Sequence, residues 1–408
     1  MSESNHPPSD PWPEGFGITL VANASSSVGL GLTARNIAGV LGRHGVPFSI
    51  LDVPHSWGTR ELEPSLAAHL VGGMDRLSHP ISLYVLPMVF LESLFENNPG
   101  LLAKGRMHIA NLWWEASRIP ESWIPNLSRF DAVLAMSRFI AELAANSLPL
   151  TPVILGEHPL ALPGNAGPDR AGWDFPEEAT VFVSSLDPNS DPVRKNPGDL
   201  VRAFQRAFPA GNEAVRLLIR LNNADTDLGR AVAAQLQKLA MGDARIRLLL
   251  APMSYPEVIS LYASADVFVS LHRGEGLGLG LMEAMALGKP VIATGWSGNM
   301  SFMNQSNSCL VRYRLTEVSG HWDFFKPAFI GTEARWAVPV LEDAVSWMRA
   351  LHADKALCNR IGTNARVHAL AYQVRAFEAS WIGELAAMYC VQALLPRAVR
   401  KYSNTGRQ

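Results

Sequence analysis

An α/β chain built as two doubly wound domains is what this sequence predicts, and three observations predict it. The chain has 408 residues, enough for two domains of ordinary size. Residues 17–53 read as strand, glycine-rich turn, helix and strand. From 180 to 294 strands and helices alternate regularly, the pattern of a parallel sheet with helices on both faces. Hydrophobic residues make up 48% of the chain, so each domain can bury a core.

In order, the polar, proline-rich start is a loose tail to about Pro13. The apolar run Gly17–Ala22 is a strand, Asn23–Gly31 a glycine-rich turn, Leu32–Arg43 a helix ended by Gly45, and Pro47–Val53 the second strand. Residues 54–80 carry no clear pattern. Ile81–Leu86, Met107–Asn111 and Phe130–Met136 are strands, and Arg138–Ala145 a helix. Proline, glycine and polar residues over Pro149–Leu162 and Gly164–Gly172 read as a linker, with the hinge near 160–175.

The second half opens on the strand Thr180–Ser185. The helix Asp199–Phe208 puts Leu200, Ala203, Phe204 and Ala207 on one face. Arg216–Leu221 and Arg245–Ala251 are strands, and Tyr255–Ala263 is a helix. Residues 312–335 look irregular and aromatic. Helical patterns follow over Leu341–Leu351, Leu357–Leu370 and Phe377–Leu395, with Pro396 ending or kinking the last.

The stretch richest in chemistry is 265–294. An apolar strand, Val267–Leu271, leads through Gly274-Glu275-Gly276-Leu277-Gly278 into the helix Leu279–Leu287. Gly288 and Pro290 end that helix, and Val291–Thr294 is the next strand. A glycine turn before a helix brings bare N–H groups and the positive helix end to an anion. Glu275 and Glu283 frame it with seven residues between them. A carboxylate repels phosphate, so both acids are better placed to accept hydrogen bonds from sugar hydroxyls. Arg194 and Lys195, after the strand Thr180–Ser185, suit a diphosphate: Arg clamps two oxygens and Lys acts as a point charge.

Glu275, seven residues, Glu283, then Ala284-Met285-Ala286 and Gly288-Lys289-Pro290-Val291-Ile292-Ala293 resemble the donor-site signature of retaining glycosyltransferase family 4, the nucleotide-sugar-dependent group 1 enzymes. Trp113-Trp114-Glu115 followed by the strand at 130–136 resembles a subset of that family. The resemblance covers most of the chain and is strongest from 180 to 311. It implies the GT-B fold, two Rossmann-like domains facing a central cleft. It divides the chain into a flexible tail (1–14), an acceptor-side domain (15–165), a nucleotide-sugar-binding domain (166–375) and a C-terminal helix returning to the first domain (376–408).

The resemblance also implies roles. Glu275 holds the donor sugar, and Glu283 accepts the ribose hydroxyls. Lys195, the N–H groups of Gly276, Leu277 and Gly278, and the first-domain glycines Gly29 and Gly31 meet the diphosphate. The backbone at Met253 reads the base. The family's arginine is not matched, because Asn189 or Ser190 stands there, and Arg194 is the substitute. Ser297-Gly298-Asn299 replaces the two glycines and acid of many members. Glu115 positions the acceptor hydroxyl. Trp113 and Trp114 are either sugar platforms or core residues.

The implied activity is metal-free retaining transfer of a sugar from a nucleoside-diphosphate sugar to a hydroxyl of a glycan or lipid-linked acceptor, as in polysaccharide biosynthesis. The departing diphosphate helps deprotonate the acceptor, and no cofactor is required. The alternatives are a nucleotide-sugar-binding GT-B protein without transferase activity and a nucleotide-sugar epimerase. Asp225-Thr226-Asp227 precedes a helix, where such residues serve as caps rather than as metal ligands. A net charge of -2 gives no support for a nucleic-acid partner. Cys309, Cys358 and Cys390 lack paired spacing and read as reduced thiols. No run is apolar enough to span a membrane, so the expectation is a cytoplasmic protein. Peripheral contact at the inner membrane stays open, through the Met388–Leu395 face with Arg397, Arg400 and Lys401.

Overall fold

The computed structural model describes residues 11–26, 28–53, 64–73, 76–102, 105–318 and 333–394. The first half contains β1 (Ile18–Ala22), α1 (Gly29–Arg43), β2 (Phe48–Asp52), β3 (Ile81–Val85), α2 (Leu91–Asn97), β4 (Met107–Asn111), α3 (Ile124–Leu127), β5 (Ala132–Ala135), α4 (Arg138–Ser147) and β6 (Val153–Leu155). Its strands form one parallel sheet in the order β2-β1-β3-β4-β5-β6. β1, β3, β4 and β5 are buried along their whole length, which is why they read as continuous apolar runs.

The second half contains β7 (Thr180–Leu186), α5 (Pro192–Lys195), α6 (Pro197–Ala207), β8 (Val215–Leu221), α7 (Asp227–Ala240), β9 (Ile246–Leu249), α8 (Tyr255–Ser264), β10 (Val267–Ser270), α9 (Leu279–Ala286), β11 (Val291–Thr294) and β12 (Cys309–Val311). These strands make a second parallel sheet, β12-β11-β10-β7-β8-β9. In each sheet the chain winds outward on one side and returns to wind on the other. The reversal falls between β1 and β3 and between β7 and β10. Open α/β sheets bind ligands at such a switch point, outside the carboxyl ends of the strands. The loops after β7 and β10 carry Arg194, Lys195 and Glu275, so the topology itself brings these residues together.

Three expectations are corrected. The stretch read as a linker contains β6, the edge strand of the first sheet. Three residues give no periodicity, and Pro152, which lacks an N–H, accepts from Val133 N at 2.9 Å through its carbonyl. The stretch read as irregular contains β13 (Tyr313–Glu317), paired antiparallel with β14 (Arg335–Pro339); residues 319–332 lie outside the described residues. Every residue of β13 is exposed, so no core imposes an alternating pattern on it. The three C-terminal helices are α10 (Leu341–Ala353), α11 (Lys355–Glu378) and α12 (Ser380–Leu394), and the last break falls at Ala379, a non-glycine residue with φ of 49°.

The hairpin touches both lobes. Arg335 N donates to Ser117 Oγ at 2.8 Å and Ser117 N donates to Arg335 O at 2.9 Å, while Ala337 N donates to Arg273 O at 2.8 Å. Helix α12 returns to the first sheet, where Trp381, Ile382 and Leu385 join the cluster of Ile18, Leu20 and Ile109. Met388 packs against that cluster, while Val391 and Leu394 are exposed. Arg397, Arg400 and Lys401 lie outside the described residues, as do most of the N-terminal tail and residues 54–63. Among the described residues no helix is long and apolar enough to cross a membrane.

Candidate active site

The loop between β10 and α9 is pressed against the first lobe. A Cβ built on Gly274 would lie 2.0 Å from the Glu115 carbonyl oxygen, so only glycine lets the two backbones meet. Gly278 has φ of +94°, a left-handed turn that aims the chain into α9. Ser137 Oγ, the cap of α4, donates to Gly276 O at 2.7 Å. Ser297 Oγ accepts from Glu275 N at 2.8 Å, and Gly298 N donates to Glu275 O at 2.8 Å. The Ser297–Asn299 segment therefore holds the Glu275 backbone. The N–H groups of Gly276, Leu277 and Gly278 meet no protein acceptor among the described residues, which leaves a nest of donors at the start of α9.

The loop after β7 supplies the cations. Asp191, at φ of 67°, caps the short helix α5 by accepting from Val193 N at 2.9 Å and Arg194 N at 3.2 Å. Asn196, also left-handed, donates from Nδ2 to Leu271 O at 2.9 Å, and Arg273 N donates to Arg194 O at 2.7 Å. The β7 and β10 loops are thus laced together. Lys195 Nζ lies 2.6 Å from Glu275 Oε1, and Arg194 Nη1 lies 3.5 Å from Glu275 Oε2. Arg194 Nη2 lies 3.6 Å from Glu115 Oε1, across the lobe boundary. Burial alone would raise the Glu275 carboxyl, but Lys195 and then Arg194 override it and bring it down to about 2.

Glu283 sits in the second turn of α9, 5% exposed, with Tyr255 Oη donating to it at 3.1 Å. Burial pushes its carboxyl up to about 7, against the lowering effects of Tyr255 and Arg220. One motif therefore holds two acids in opposite states near neutrality, Glu275 ionised and Glu283 sharing its proton. The folded chain keeps the Glu283 proton where the unfolded chain has released it, so this residue makes stability fall as pH rises from the ordinary 4.5 to about 7. The Glu275 contribution has the opposite window, present above 4.5 and lost as pH falls toward about 2. Glu283→Gln is expected to show a smaller loss of stability between about pH 5 and pH 8 than the parent, measured by denaturant titration.

Between the lobes lies a cavity of about 710 Å³. Of the residues expected from sequence, Gly29, Glu115, Arg194, Lys195, Met253, Glu275, Gly276, Leu277, Gly278 and Glu283 line it. Gly31 does not. A Cβ there would lie 2.0 Å from Ser26 O, so the close packing of α1 on its own turn requires a glycine at this position. Trp114 is 3% exposed and its indole donates to Arg118 O, which makes it a core residue at the cavity's edge. Trp113 donates to Asn111 Oδ1 at 2.6 Å. Thr226 caps α7 by accepting from Gly229 N at 3.0 Å. Among the described residues no cluster of His, Cys, Asp and Glu is arranged for a metal ion.

Sequence reasoning missed Arg220, Asp187 and Tyr255, which also line the cavity. Arg220 Nη1 donates to Ser185 Oγ at 3.1 Å and Nη2 to Asn222 Oδ1 at 3.0 Å. Burial raises the Asp187 carboxyl, against donations from Asn189 N, Asn223 and Asn222. Asp187 and Arg220 close their strands at the carboxyl end, which was the signal available. Asn189, which with Ser190 stands where the resemblance expects arginine, lines the cavity with an Nδ2 group that is buried and unpartnered among the described residues.

With this geometry in view, comparison with known proteins is informative. Residues 178–317 match the family model described as glycosyl transferases group 1. That stretch contains Lys195, Glu275 and Glu283. Sucrose-phosphate synthase from Thermosynechococcus elongatus superposes with a TM-score of 0.65 at 14% identity, over 92% of this chain and 100% of that one. Trehalose-6-phosphate synthase OtsA gives 0.62 at 11% identity, over 93% and 100%. Anabaena Alr3699/HepE, in complex with UDP and glucose, gives 0.58 at 13% identity, over 89% and 98%. No curated protein sequence matches. At these identities the structural likeness is one of fold, and the fold is GT-B.

Proposed function

We propose that the chain is a retaining glycosyltransferase of the family 4 type, a hexosyltransferase using a nucleoside-diphosphate sugar. The observation that carries this reading is the meeting of Lys195, Glu275, the 276–278 amides and Glu283 on one wall of the inter-lobe cavity. UDP in the HepE structure makes a uridine donor the first to try.

Breaking the sugar–diphosphate bond puts negative charge on the leaving group and oxocarbenium character on the sugar. Lys195 and the free amides at the start of α9 lie ready for the first; the Glu275 carboxylate lies ready for the second. Each charge-assisted contact supplies about 1.5–3 kcal/mol. Glu283 and Tyr255 receive the ribose hydroxyls. Glu115, from the opposite lobe, orients an acceptor hydroxyl belonging to a glycan or lipid-linked sugar, and the departing phosphate oxygen takes its proton.

The test is a thermal-shift screen against nucleoside diphosphates, followed by donor turnover with product analysis. Stabilisation by one diphosphate and transfer with retained anomeric configuration are expected. Binding without turnover indicates a nucleotide-sugar-binding protein, and an isomerised sugar released without acceptor indicates an epimerase. The charge for the leaving group comes from protein, so turnover is expected to persist in EDTA. Loss in EDTA with recovery on adding manganese overturns the metal-free route.

A further inference from the structure

The sequence gives Arg194 and Lys195 one address and the fold gives them two. Both residues line the cavity, but the Lys195 side chain is 20% exposed and the Arg194 side chain only 9%. Arg194 Nη1 donates to Gly274 O at 2.7 Å, and Nη2 donates to Ser190 O at 2.7 Å. The same two nitrogens approach the carboxylates of Glu275 and Glu115 at 3.5 Å and 3.6 Å. A guanidinium is a rigid plane with five N–H donors. Here each terminal nitrogen gives one hydrogen to a backbone carbonyl and faces a carboxylate with the other, one from each lobe, so a phosphate reaching them has to displace Glu275 or Glu115 inside a buried site.

We propose that Arg194 is a positioning residue that fixes the acceptor-side acid Glu115 against the donor-side acid Glu275, and that Lys195 alone of the pair meets the diphosphate. This deepens the glycosyltransferase reading and rests on it. The surrounding backbone agrees with the assignment. Gly274 abuts the Glu115 carbonyl, and Arg273 N bonds the Arg194 carbonyl, so the guanidinium bridges segments already held in register. Burial lowers the Arg194 pKa, but Glu115, Glu275 and Asp191 more than reverse this, so the cation persists. Lysine cannot substitute, because a compact ammonium does not span two carboxylates and two carbonyls at once.

Two measurements on the full chain test this. The first is a double-mutant cycle on thermal unfolding, without ligand, using Arg194→Lys, Glu115→Gln and the double variant. Coupling is expected, and additivity overturns the proposal. The second compares binding of UDP and GDP with turnover. Arg194→Lys is expected to lower kcat about 10²-fold, the cost of a misplaced group, while nucleoside-diphosphate Kd stays within about threefold. Lys195→Ala is expected to weaken that binding more than Arg194→Lys does. Equal weakening by the two overturns the proposal. If Arg194→Lys does not fold, Glu115→Gln carries the second test: kcat falls with Kd held, and a weakened Kd overturns it. If neither diphosphate binds the parent protein, the functional reading fails while the unfolding cycle still decides whether Arg194 couples Glu115 to the second lobe.

Discussion

Lys195→Ala is expected to lower kcat by about 10²–10³-fold, the range for deleting one preorganised charge partner of a developing anion. In the ligand-free protein Lys195 Nζ is 2.6 Å from Glu275 and its side chain is 20% exposed. An ammonium has three donors, so it can keep Glu275 while turning another toward phosphate oxygen. Its removal acts twice. The leaving group loses its cation, and Glu275 is left with Arg194, whose closest approach is 3.5 Å. Lys195 is the leading opposite charge holding the Glu275 carboxyl low, so that carboxyl is expected to titrate higher in the variant. Steady-state rates across a pH series measure both effects. An unchanged kcat removes Lys195 from the reaction.

Glu283→Ala is expected to raise the donor dissociation constant by about 10–100-fold, the loss of two hydrogen bonds of ordinary net strength. It also strands the Tyr255 hydroxyl, which now bonds Glu283 at 3.1 Å, and leaving a buried hydroxyl unsatisfied costs about 1–3 kcal/mol. Glu283→Gln separates the two effects, because the amide oxygen still accepts from Tyr255 while the charge is gone. Calorimetric titration with donor and a thermal melt of both variants distinguish weak binding from weak folding. Glu275→Ala is expected to behave differently, lowering turnover more than donor affinity. Identical donor binding and turnover in all three variants and the parent would sink these roles.

How much of this was legible follows from what kind of signal each feature leaves. The 265–294 segment was readable because a buried strand, three glycines and a glycine–proline stop fall within thirty residues and enforce one local structure. The seven-residue spacing of Glu275 and Glu283 survives in sequence because one helix carries it. The pairing of Lys195 with Glu275 joins residues 80 apart, and only the switch point of the second sheet brings them together. The burial of Arg194 depends on left-handed backbone at Asp191 and Asn196, residues that announce a cap or turn but not its direction. Gly31 leaves an ambiguous signal, because packing on its own turn and approach to a ligand both call for a glycine. The break between α11 and α12 was expected between Leu370 and Phe377 and falls instead at Ala379, which carries none of the usual stop signals.

The return of α12 ties the folding of the first lobe to a segment made after the second. Trp381, Ile382 and Leu385 are among the most completely enclosed side chains of the first lobe's core, yet they are translated after the strands of both sheets. While the ribosome is still making the second lobe, one flank of the first sheet waits uncovered, open to chaperones or to a neighbouring nascent chain. A stop codon placed just before Ser380 would therefore damage the half of the protein made first.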